Sequence, residues 1–324
     1  MNQPFFGLLG LFLMTLVLWS CSDDEQDDKD NGHLSKEEFL VFEHQYHRND
    51  PQENATFSLF NENELDVKLY EISGIVSSRK NPSLVYMHED SGNRNVVFVY
   101  DTLGVFKGEI VLFGVSNRDW EDIAIGPGPE EGEIYVYVAD FGDNRSVREF
   151  VRIHFFPEID LSAELQKDTP FKIILEDFET IEYQYPDGPR DAETLMIDPF
   201  TKDLIVVTKR EVNVHVYQLP FPQRTSGMAE VHFRGRLPFR TIVGGDISPN
   251  GQEMLIKDYG TVYHWEVEEN DPIKTLFKQT PSTVAYVPEV QGEAVGWTYR
   301  GDGYFTITEI DKLDADLILY HYKR

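Results

Sequence analysis

Cysteine is nearly absent from this sequence, since Cys21 is the only one among 324 residues. A disulfide framework is therefore excluded, and the fold has to be held by its apolar core. Positive charge is also scarce, with 29 Lys and Arg against 57 Asp and Glu. The resulting formal charge of -28 argues against nucleic acid as a partner, because phosphate binding requires an excess of basic side chains.

Several catalytic signatures are missing as well. The sequence contains no GxSxG elbow, no Walker loop, no HExxH and no GxGxxG between a strand and a helix. Serine hydrolases, P-loop enzymes and zincins are therefore unsupported. What is present is a 13% aromatic content spread through β-branched runs, which favours β-strands.

Residues 1–20 carry no Lys, Arg, Asp or Glu and include the apolar run FFGLLGLFLMTLVLW. This run is short for a membrane-spanning helix, which needs about 20 residues, and its length suits a signal peptide. It ends in Leu18-Trp19-Ser20-Cys21, which resembles the lipobox of bacterial lipoproteins. The resemblance implies cleavage before Cys21 and attachment of lipid to this cysteine. An uncleaved amino-terminal anchor is the alternative.

The segment after Cys21, SDDEQDDKDNG at 22–32, is too charged to pack and is expected to be a disordered tether. An acidic run at this place also resembles the surface-export tag of Bacteroidetes lipoproteins, which implies an outer-membrane lipoprotein exposed on the cell surface. The predicted organisation is a signal peptide at 1–20, a lipidated and acidic segment at 21–35, and a single domain at 36–324.

A motif with a leading carboxylate recurs along this domain at spacings of 50, 72, 53 and 47 residues. All-β repeats of about 40–50 residues are typical of propeller blades. The copies begin at Glu71 (EISGI), Glu121 (EDIAI), Glu193 (ETLMI), Asp246 (DISPN) and Glu293 (EAVGW). Each follows a polar or glycine turn such as VGGD, and each opens the first strand of a repeat.

Alternating β-branched and aromatic runs then predict a second and a third strand in every repeat. A fourth strand is predicted in four repeats, at 104–113, 171–185, 230–237 and 273–280. The fifth repeat stops at Arg324 after its third strand, so ATFSLF (55–60) or DVKLY (66–70) is expected to complete it and close the ring. The prediction is an all-β propeller of five blades, and the long 72-residue spacing leaves six open.

The first strand of each blade lines the central channel of a propeller, so the leading carboxylates are expected to meet on the axis. Several like charges at such a distance require a cation, and Ca²⁺ takes 6–8 oxygen ligands. The alternative is that these acids cap turns or pair with basic residues such as Arg118 and Arg190. The predicted calcium ligands are Glu71, Ser73, Glu121, Glu193, Asp246, Ser248 and Glu293.

Further candidates follow the second strands, at the predicted channel mouth. His88, Glu89 and Asp90 form an acidic cluster with one histidine, which suits activation of water. Basic residues near a metal could bind an anionic group. The predicted substrate-binding residues are Asp140, Asn144, Arg145, Lys209, Arg210 and Lys257.

The motifs EISGI, DWEDIA, DAETL, GGDIS and QGEAV, in this order, resemble those of the calcium-activated nucleotidase (apyrase) propellers. Phytase-like and lactonase-like propellers are similar. The resemblance implies an axial calcium, and LVYMHEDSG (84–92) is similar to the acidic substrate motif of the nucleotidases. Glycoside hydrolysis by paired carboxylates, which also occurs on five-bladed propellers, stays open as a third function. Two functions are mainly expected. One is a calcium-dependent phosphoester or lactone hydrolase, and the other is a non-enzymatic propeller that binds a glycan, protein or small molecule around a structural calcium.

Overall fold

The computed structural model describes residues 40–309 and 316–324, and these ranges hold 23 strands and one α-helix. The predicted signal peptide, the lipidation site Cys21 and the acidic tether lie outside the described residues. Within the described ranges, no helix is both long and apolar enough to cross a bilayer.

The strands form five separate sheets, which are the five predicted blades. The strands of the first blade, from the axis outward, are β4 (Ile72–Ser77), β5 (Leu84–Glu89), β6 (Val96–Asp101), β7 (Phe106–Leu112) and β11 (Phe171–Leu175). Those of the second blade, in the same order, are β8 (Trp120–Pro127), β9 (Ile134–Asp140), β10 (Val151–Pro157) and β12 (Glu179–Tyr183). Every residue of β4 and β5 is buried, as expected for strands packed on both faces.

The other three blades continue the same pattern. In the third are β13 (Ala192–Ile197), β14 (Leu204–Thr208), β15 (His215–Leu219), β16 (His232–Arg236) and β1 (Phe42–Glu43). The fourth contains β17 (Ile242–Ile247), β18 (Glu253–Asp258), β19 (Val262–Glu266), β20 (Ser282–Val284) and β2 (Gln52–Glu53). The fifth comprises β21 (Val295–Trp297), β22 (Gly303–Ile307), β23 (Ile318–Lys323) and β3 (Ser58–Glu64).

The inner strands of the blades contact one another in the cyclic order β4, β8, β13, β17, β21 and back to β4. Apolar side chains fill the space between neighbouring blades. Five buried clusters in the described chain correspond to the five interfaces between blades, and they include the fully buried rings of Trp120, Trp265 and Trp297. We call the channel end at which the inner strands begin the mouth, and the opposite end the far end.

The ring is closed by an amino-terminal strand, as predicted. Strand β3 pairs antiparallel with β23, so an early strand and the last strand of the described chain share the fifth blade. It overlaps the predicted segment ATFSLF, whereas DVKLY (66–70) contains no strand. Upstream, β1 and β2 add parallel strands to the outer edges of the third and fourth blades. This segment therefore covers edges that would otherwise expose unpaired backbone groups.

One predicted fourth strand was wrong, and another was correct only in its second half. Residues 273–280 form helix α1 (Pro272–Lys278) instead. Asp271 caps this helix by accepting a 2.8 Å hydrogen bond from the backbone N–H of Lys274, and Pro272 fits its first turn. The segment 171–185 contains two strands. The second, β12, pairs with β10 as the predicted fourth strand of the second blade, whereas the first, β11, pairs with β7 of the first blade.

The extra residues before Glu193 contain β11 and a short 3-10 helix at Glu164–Gln166, not a further blade. The fourth motif copy also needs correction, because Asp246 lies near the end of β17 and not at its beginning. Gly244 and Gly245 belong to this strand and do not form a turn. A Cβ at Gly244 would lie 2.6 Å from the carbonyl oxygen of Glu293, so the close approach of two inner strands requires glycine.

Candidate carboxylate site at the channel mouth

Four inner strands carry a shift of register close to the mouth. The shifts fall between Ile72 and Gly74, Trp120 and Asp122, Ala192 and Thr194, and Ile242 and Gly244. An extra residue at such a bulge bends the strand and redirects a side chain. The residues at these equivalent places are Ser73, Glu121, Glu193 and Val243. The structural repeat therefore differs from the sequence motif in the first and fourth blades.

Three carboxylates from three blades converge on the axis. Glu121 in β8, Glu193 in β13 and Glu293 just before β21 each offer an oxygen within 4.8 Å of the others. Their side chains are buried, with 3, 2 and 4% of each residue exposed. We call these three residues the axial cluster. Among the predicted calcium ligands, they are the ones that the structure brings together.

Lys209 at the end of β14 lies against the axial cluster. Its Nζ is 2.5 Å from Oε1 of Glu193 and 3.1 Å from Oε1 of Glu293. Tyr259 donates a 2.8 Å hydrogen bond to the same oxygen of Glu293, and its ring centroid lies 5.3 Å from Nζ. Burial lowers the pKa of Lys209, but the two glutamates outweigh this effect and raise it. Lys209 is therefore an ammonium that neutralises part of the cluster.

A second group extends from the axis toward the mouth. Asp90, Asp119 and Glu121 also offer oxygens within 4.8 Å of one another, and we call them the mouth cluster. The backbone of Gly142 lies beneath them. A Cβ at Gly142 would lie 2.0 Å from Oε1 of Glu121 and 2.8 Å from Oδ2 of Asp119. The space between these carboxylates thus depends on the missing side chain of this glycine.

The electrostatics of both clusters disfavour full ionisation. Burial, followed by the charges of neighbouring acids, raises the pKa of Glu121 and Glu193 well above the ordinary value. Burial also raises the pKa of Asp90 to about 7 and that of Glu309, at the end of the fifth blade's second strand, to about 8. Near these clusters, the buried Oε2 of Glu193 and Oε2 of Glu309 have no hydrogen-bond partner among the described residues.

The other predicted metal ligands belong to neither cluster. Oε2 of Glu71 accepts a 2.9 Å hydrogen bond from Asn93. The buried hydroxyl of Ser73 donates to the carbonyl of Trp120 at 3.0 Å. Ser248 stands at the far end, where its hydroxyl donates to Asn250 at 2.7 Å and accepts from the backbone N–H of Glu253 at 2.9 Å. These contacts give each of the three side chains a structural role.

Asp246 joins two blades. Its Oδ2 accepts a 2.8 Å hydrogen bond from the backbone N–H of Trp297 in the neighbouring inner strand. Asp122 makes the same kind of bond with the backbone N–H of Leu195, also at 2.8 Å. Burial raises the pKa of Asp246 to about 6, although Arg79 opposes the shift. A carboxylate on an inner strand therefore has a structural use in joining neighbouring blades.

The three predicted catalytic residues do not form one group. His88 is fully buried, and its ring packs edge-on against Trp120 at 5.8 Å between centroids. Burial lowers its pKa to about 4. Oε1 of Glu89 accepts a 2.9 Å hydrogen bond from the backbone N–H of Tyr70. Only Asp90 of the three, which follows the last residue of β5, belongs to the mouth cluster.

The predicted substrate-binding cations are mostly engaged by acids. In addition to the contacts of Lys209, Nε of Arg210 pairs with Asp191. Nζ of the fully buried Lys257 lies 3.7 Å from Oε2 of Glu289 and donates to the carbonyl of Gly292.

The remaining residues of this predicted group lie at the second blade. Asp140 pairs with Arg148 at 2.8 Å, and Asn144 and Arg145 are exposed in the loop after it. Sequence reasoning missed Asp119 and Tyr259 as members of the site. Asp119 had a usable signal, since it lies two residues before Glu121 in the same motif.

Comparison with known proteins shows no family for this chain. No protein-family profile matches the chain, and no curated protein matches it. Among solved structures, the WD40 domain of Neurospora crassa Pan2 is similar in architecture, with a TM-score of 0.42 and 8% sequence identity. The match covers 84% of this chain and 97% of that domain.

Proposed function

We propose that this protein is a calcium-binding β-propeller, tethered to the cell surface through a lipid on Cys21, whose metal site at the mouth binds an external ligand. The observation that carries the proposal is the position of Glu121, which belongs to both carboxylate groups. Glu121, Asp90 and Asp119 would hold the ion on the outer side, with Glu193 and Glu293 behind them. Bound Ca²⁺ would supply charge compensation and open coordination positions for a ligand.

The side chains present fit a hard cation. All five carry carboxylate oxygens, which Ca²⁺ prefers, and the two clusters include no His or Cys. Oε2 of Glu193 is buried without a partner, so an acceptor is available, and Gly142 keeps the space between Glu121 and Asp119 clear. These features favour a metal over a purely structural set of acids, whose oxygens would be expected to have donors.

The charge balance favours the same conclusion. Two carboxylates 4.8 Å apart repel by about 3 kcal/mol at an effective dielectric constant of ~20. Lys209 contributes one positive charge to an axial cluster that carries three negative charges when ionised. The remainder has to be removed by protons or by a bound cation. At neutral pH, a divalent cation removes it without leaving acids protonated.

The state of the mouth cations suggests what the external ligand is. Lys209, Arg210 and Lys257 are already paired with Glu193, Asp191 and Glu289. Acids on this chain therefore compensate the charges of these three residues, and Arg145 is the exposed cation that remains in the predicted group. A neutral ligand rich in hydroxyl groups, such as a glycan, could coordinate Ca²⁺ with its oxygens and needs no protein cation. We infer that glycan binding through the metal fits the mouth better than anion binding.

Terbium luminescence tests the metal site. Tb³⁺ replaces Ca²⁺ at oxygen sites and is excited through a nearby aromatic ring, which Trp120 and Tyr259 provide. We expect saturable emission that excess Ca²⁺ abolishes, and an affinity at least about tenfold lower for Glu121→Gln, which corresponds to about 1.4 kcal/mol. Glu149→Gln, on an exposed glutamate, is the matched control and should bind like the native chain. Equal binding by both variants, or none by the native chain, would refute the site.

A calcium-dependent phosphoester or lactone hydrolase is the second candidate. The position of Asp90 favours it, since in this alternative Glu121 and Asp119 would hold the ion and Asp90 beside them would accept a proton from water. His88 and Glu89 would not take part directly. We expect any turnover in a calcium-supplemented screen of phosphoesters and lactones to be lost in Asp90→Asn and kept in Asp168→Asn, on an exposed aspartate. If Asp90→Asn retains full turnover, Asp90 is not the base.

A further inference from the structure

We propose that a cavity at the far end, between the first and fifth blades, binds the oxyanion group of a small molecule, either a carboxylate or a phosphate. The cavity has a volume of about 250 Å³. Since a water molecule occupies ~30 Å³ in the liquid, this volume suits a ligand of several non-hydrogen atoms. Two residues of its wall lie where inner strands end: Ser77 is the last residue of β4, and Thr298 directly follows β21. The cavity is therefore at the end of the channel opposite the mouth.

Two basic side chains line this cavity. The Arg300 guanidinium lies over the ring of Tyr299, with Cζ 5.2 Å from the centroid, and its Nε donates to the Tyr299 hydroxyl at 2.6 Å. Nζ of Lys323 lies 4.3 Å from the centroid of Phe60. Within residues 40–309 and 316–324, neither cation has a carboxylate within 4.0 Å. Aromatic contacts hold both in place while leaving their charges available, and the guanidinium fork matches an oxyanion.

Polar groups in the wall lack partners. The hydroxyl of Ser77 and Nε2 of His321 are buried and make no hydrogen bond to any described residue. Such groups are rare in folded proteins and indicate a missing donor or acceptor. The acid in the wall, Asp302, accepts a 2.7 Å hydrogen bond from the Thr298 hydroxyl. The cavity therefore combines two unpaired cations with a carboxylate that already has a donor.

This combination contrasts with the rest of the molecule. The chain has a formal charge of -28, and the described basic residues at the mouth are largely paired with acids. Free anions are repelled by such a surface unless a local site reverses the field. Arg300 and Lys323, which have no carboxylate of the described residues within 4.0 Å, can make the electrostatic field positive inside this cavity. The site is independent of the calcium proposed at the mouth.

Thermal unfolding of the full chain in phosphate or acetate, without calcium, tests the proposal. Sodium chloride of equal ionic strength is the baseline. An anion at about ten times its dissociation constant should raise the melting temperature by about 2 °C in a domain of this size. We expect this shift from at least one anion, and its loss in Arg300→Gln and Lys323→Gln. Arg240→Gln, on an exposed arginine near the mouth, is the matched control and should keep the shift.

The two anions distinguish the ligand class. A larger shift with phosphate indicates a phosphorylated ligand, and a larger shift with acetate indicates a carboxylate. The proposal is overturned if neither anion exceeds sodium chloride up to about 50 mM, which exceeds the millimolar dissociation constants of weak ligands. It is also overturned if Arg300→Gln keeps the full shift, because the anion then binds elsewhere.

Discussion

Lys209 is the side chain on which the charge balance of the axial cluster depends. It contacts both Glu193 and Glu293 and is only 8% exposed. Removing one partner of a buried ion pair leaves charge uncompensated, at a cost of about 3–5 kcal/mol. We expect Lys209→Met to lower the free energy of unfolding by about this amount in calcium-free buffer, measured by urea denaturation.

The matched control is Lys167→Met. Lys167 pairs with Glu164 on the surface, where an ion pair contributes about 0–1 kcal/mol. Calcium should restore part of the stability lost in Lys209→Met, because the ion supplies the missing positive charge. If Lys209→Met and Lys167→Met have the same free energy of unfolding without calcium, Lys209 does not compensate the charge of Glu193 and Glu293.

The raised pKa values of Asp90 and Glu309 make stability depend on pH. In the folded state these pKa values are about 7 and about 8, whereas unfolded carboxyls titrate near ~4. The folded protein therefore holds more protons than the unfolded chain between about pH 4 and pH 8, and the free energy of unfolding falls as pH rises through this window. In chelator, we expect a lower melting temperature at about pH 8.5 than at about pH 5.5.

Calcium should oppose this pH effect, because the ion competes with protons for the same oxygens. Its stabilising effect is therefore expected to be larger at about pH 8.5 than at about pH 5.5. The double variant Asp90→Asn, Glu309→Gln is the control and should reduce the slope of the calcium-free profile, with the remainder due to Glu121 and Glu193. An unchanged slope in this variant would assign the pH dependence to other groups.

At the scale of the elements, the turn after β9 shapes the mouth. A methyl group at Gly142 would meet Glu121 and Asp119 at distances well below van der Waals contact. We expect Gly142→Ala to reduce terbium affinity by at least about tenfold, since it fills the space between two ligands. Gly260→Ala is the matched control, because its nearest atom would be 3.8 Å away. Native affinity in Gly142→Ala would place the ion elsewhere.

The sequence predicts strands correctly where the hydrophobic pattern alone determines the secondary structure. It fails where a helix cap or a distant strand determines it. The inner strand at 192–197 is continuously apolar apart from its first residues, and it was predicted correctly. The run IKTLFKQT mixes apolar and polar residues as a half-buried strand does. It forms a helix instead, because Asp271 caps the amino end and Pro272 fits the first turn. Pairing of β11 with β7 joins residues about 60 apart, and no local pattern records this contact.

At the scale of the molecule, the ring is closed around Phe57, which precedes β3. Phe57 is 3% exposed, and its phenyl ring packs against Trp297 and Tyr304, with centroids 5.8 and 5.2 Å away. We expect Phe57→Ala to lower the free energy of unfolding by about 3–5 kcal/mol. The neighbouring Phe60 is 61% exposed, so Phe60→Ala should cost less than about 1 kcal/mol. If chemical denaturation gives the same loss for Phe57→Ala and Phe60→Ala, closure of the propeller by β3 does not limit its stability.

The five-bladed architecture followed from the spacing of the motif, because each blade needs a similar length of chain. The site followed only in part. Glu121, Glu193 and Glu293 were identified because their carboxylates start strands, and they converge. Asp246 has a similar motif but lies at the other end of its strand, and Lys209 is positioned by side-chain packing that a motif does not encode. Charge partners depend on which side chains meet across blades.

Anomalous X-ray scattering from crystals grown with calcium tests the central claim most directly. If the carboxylates at the mouth bind calcium, a peak should lie about 2.3–2.6 Å from an oxygen of Glu121 and within reach of Asp119 or Glu193. Crystals of Glu121→Gln should lack this peak. A native crystal without anomalous signal near Glu121, with Lys209 still bridging Glu193 and Glu293, would show that the lysine and protons alone balance these acids.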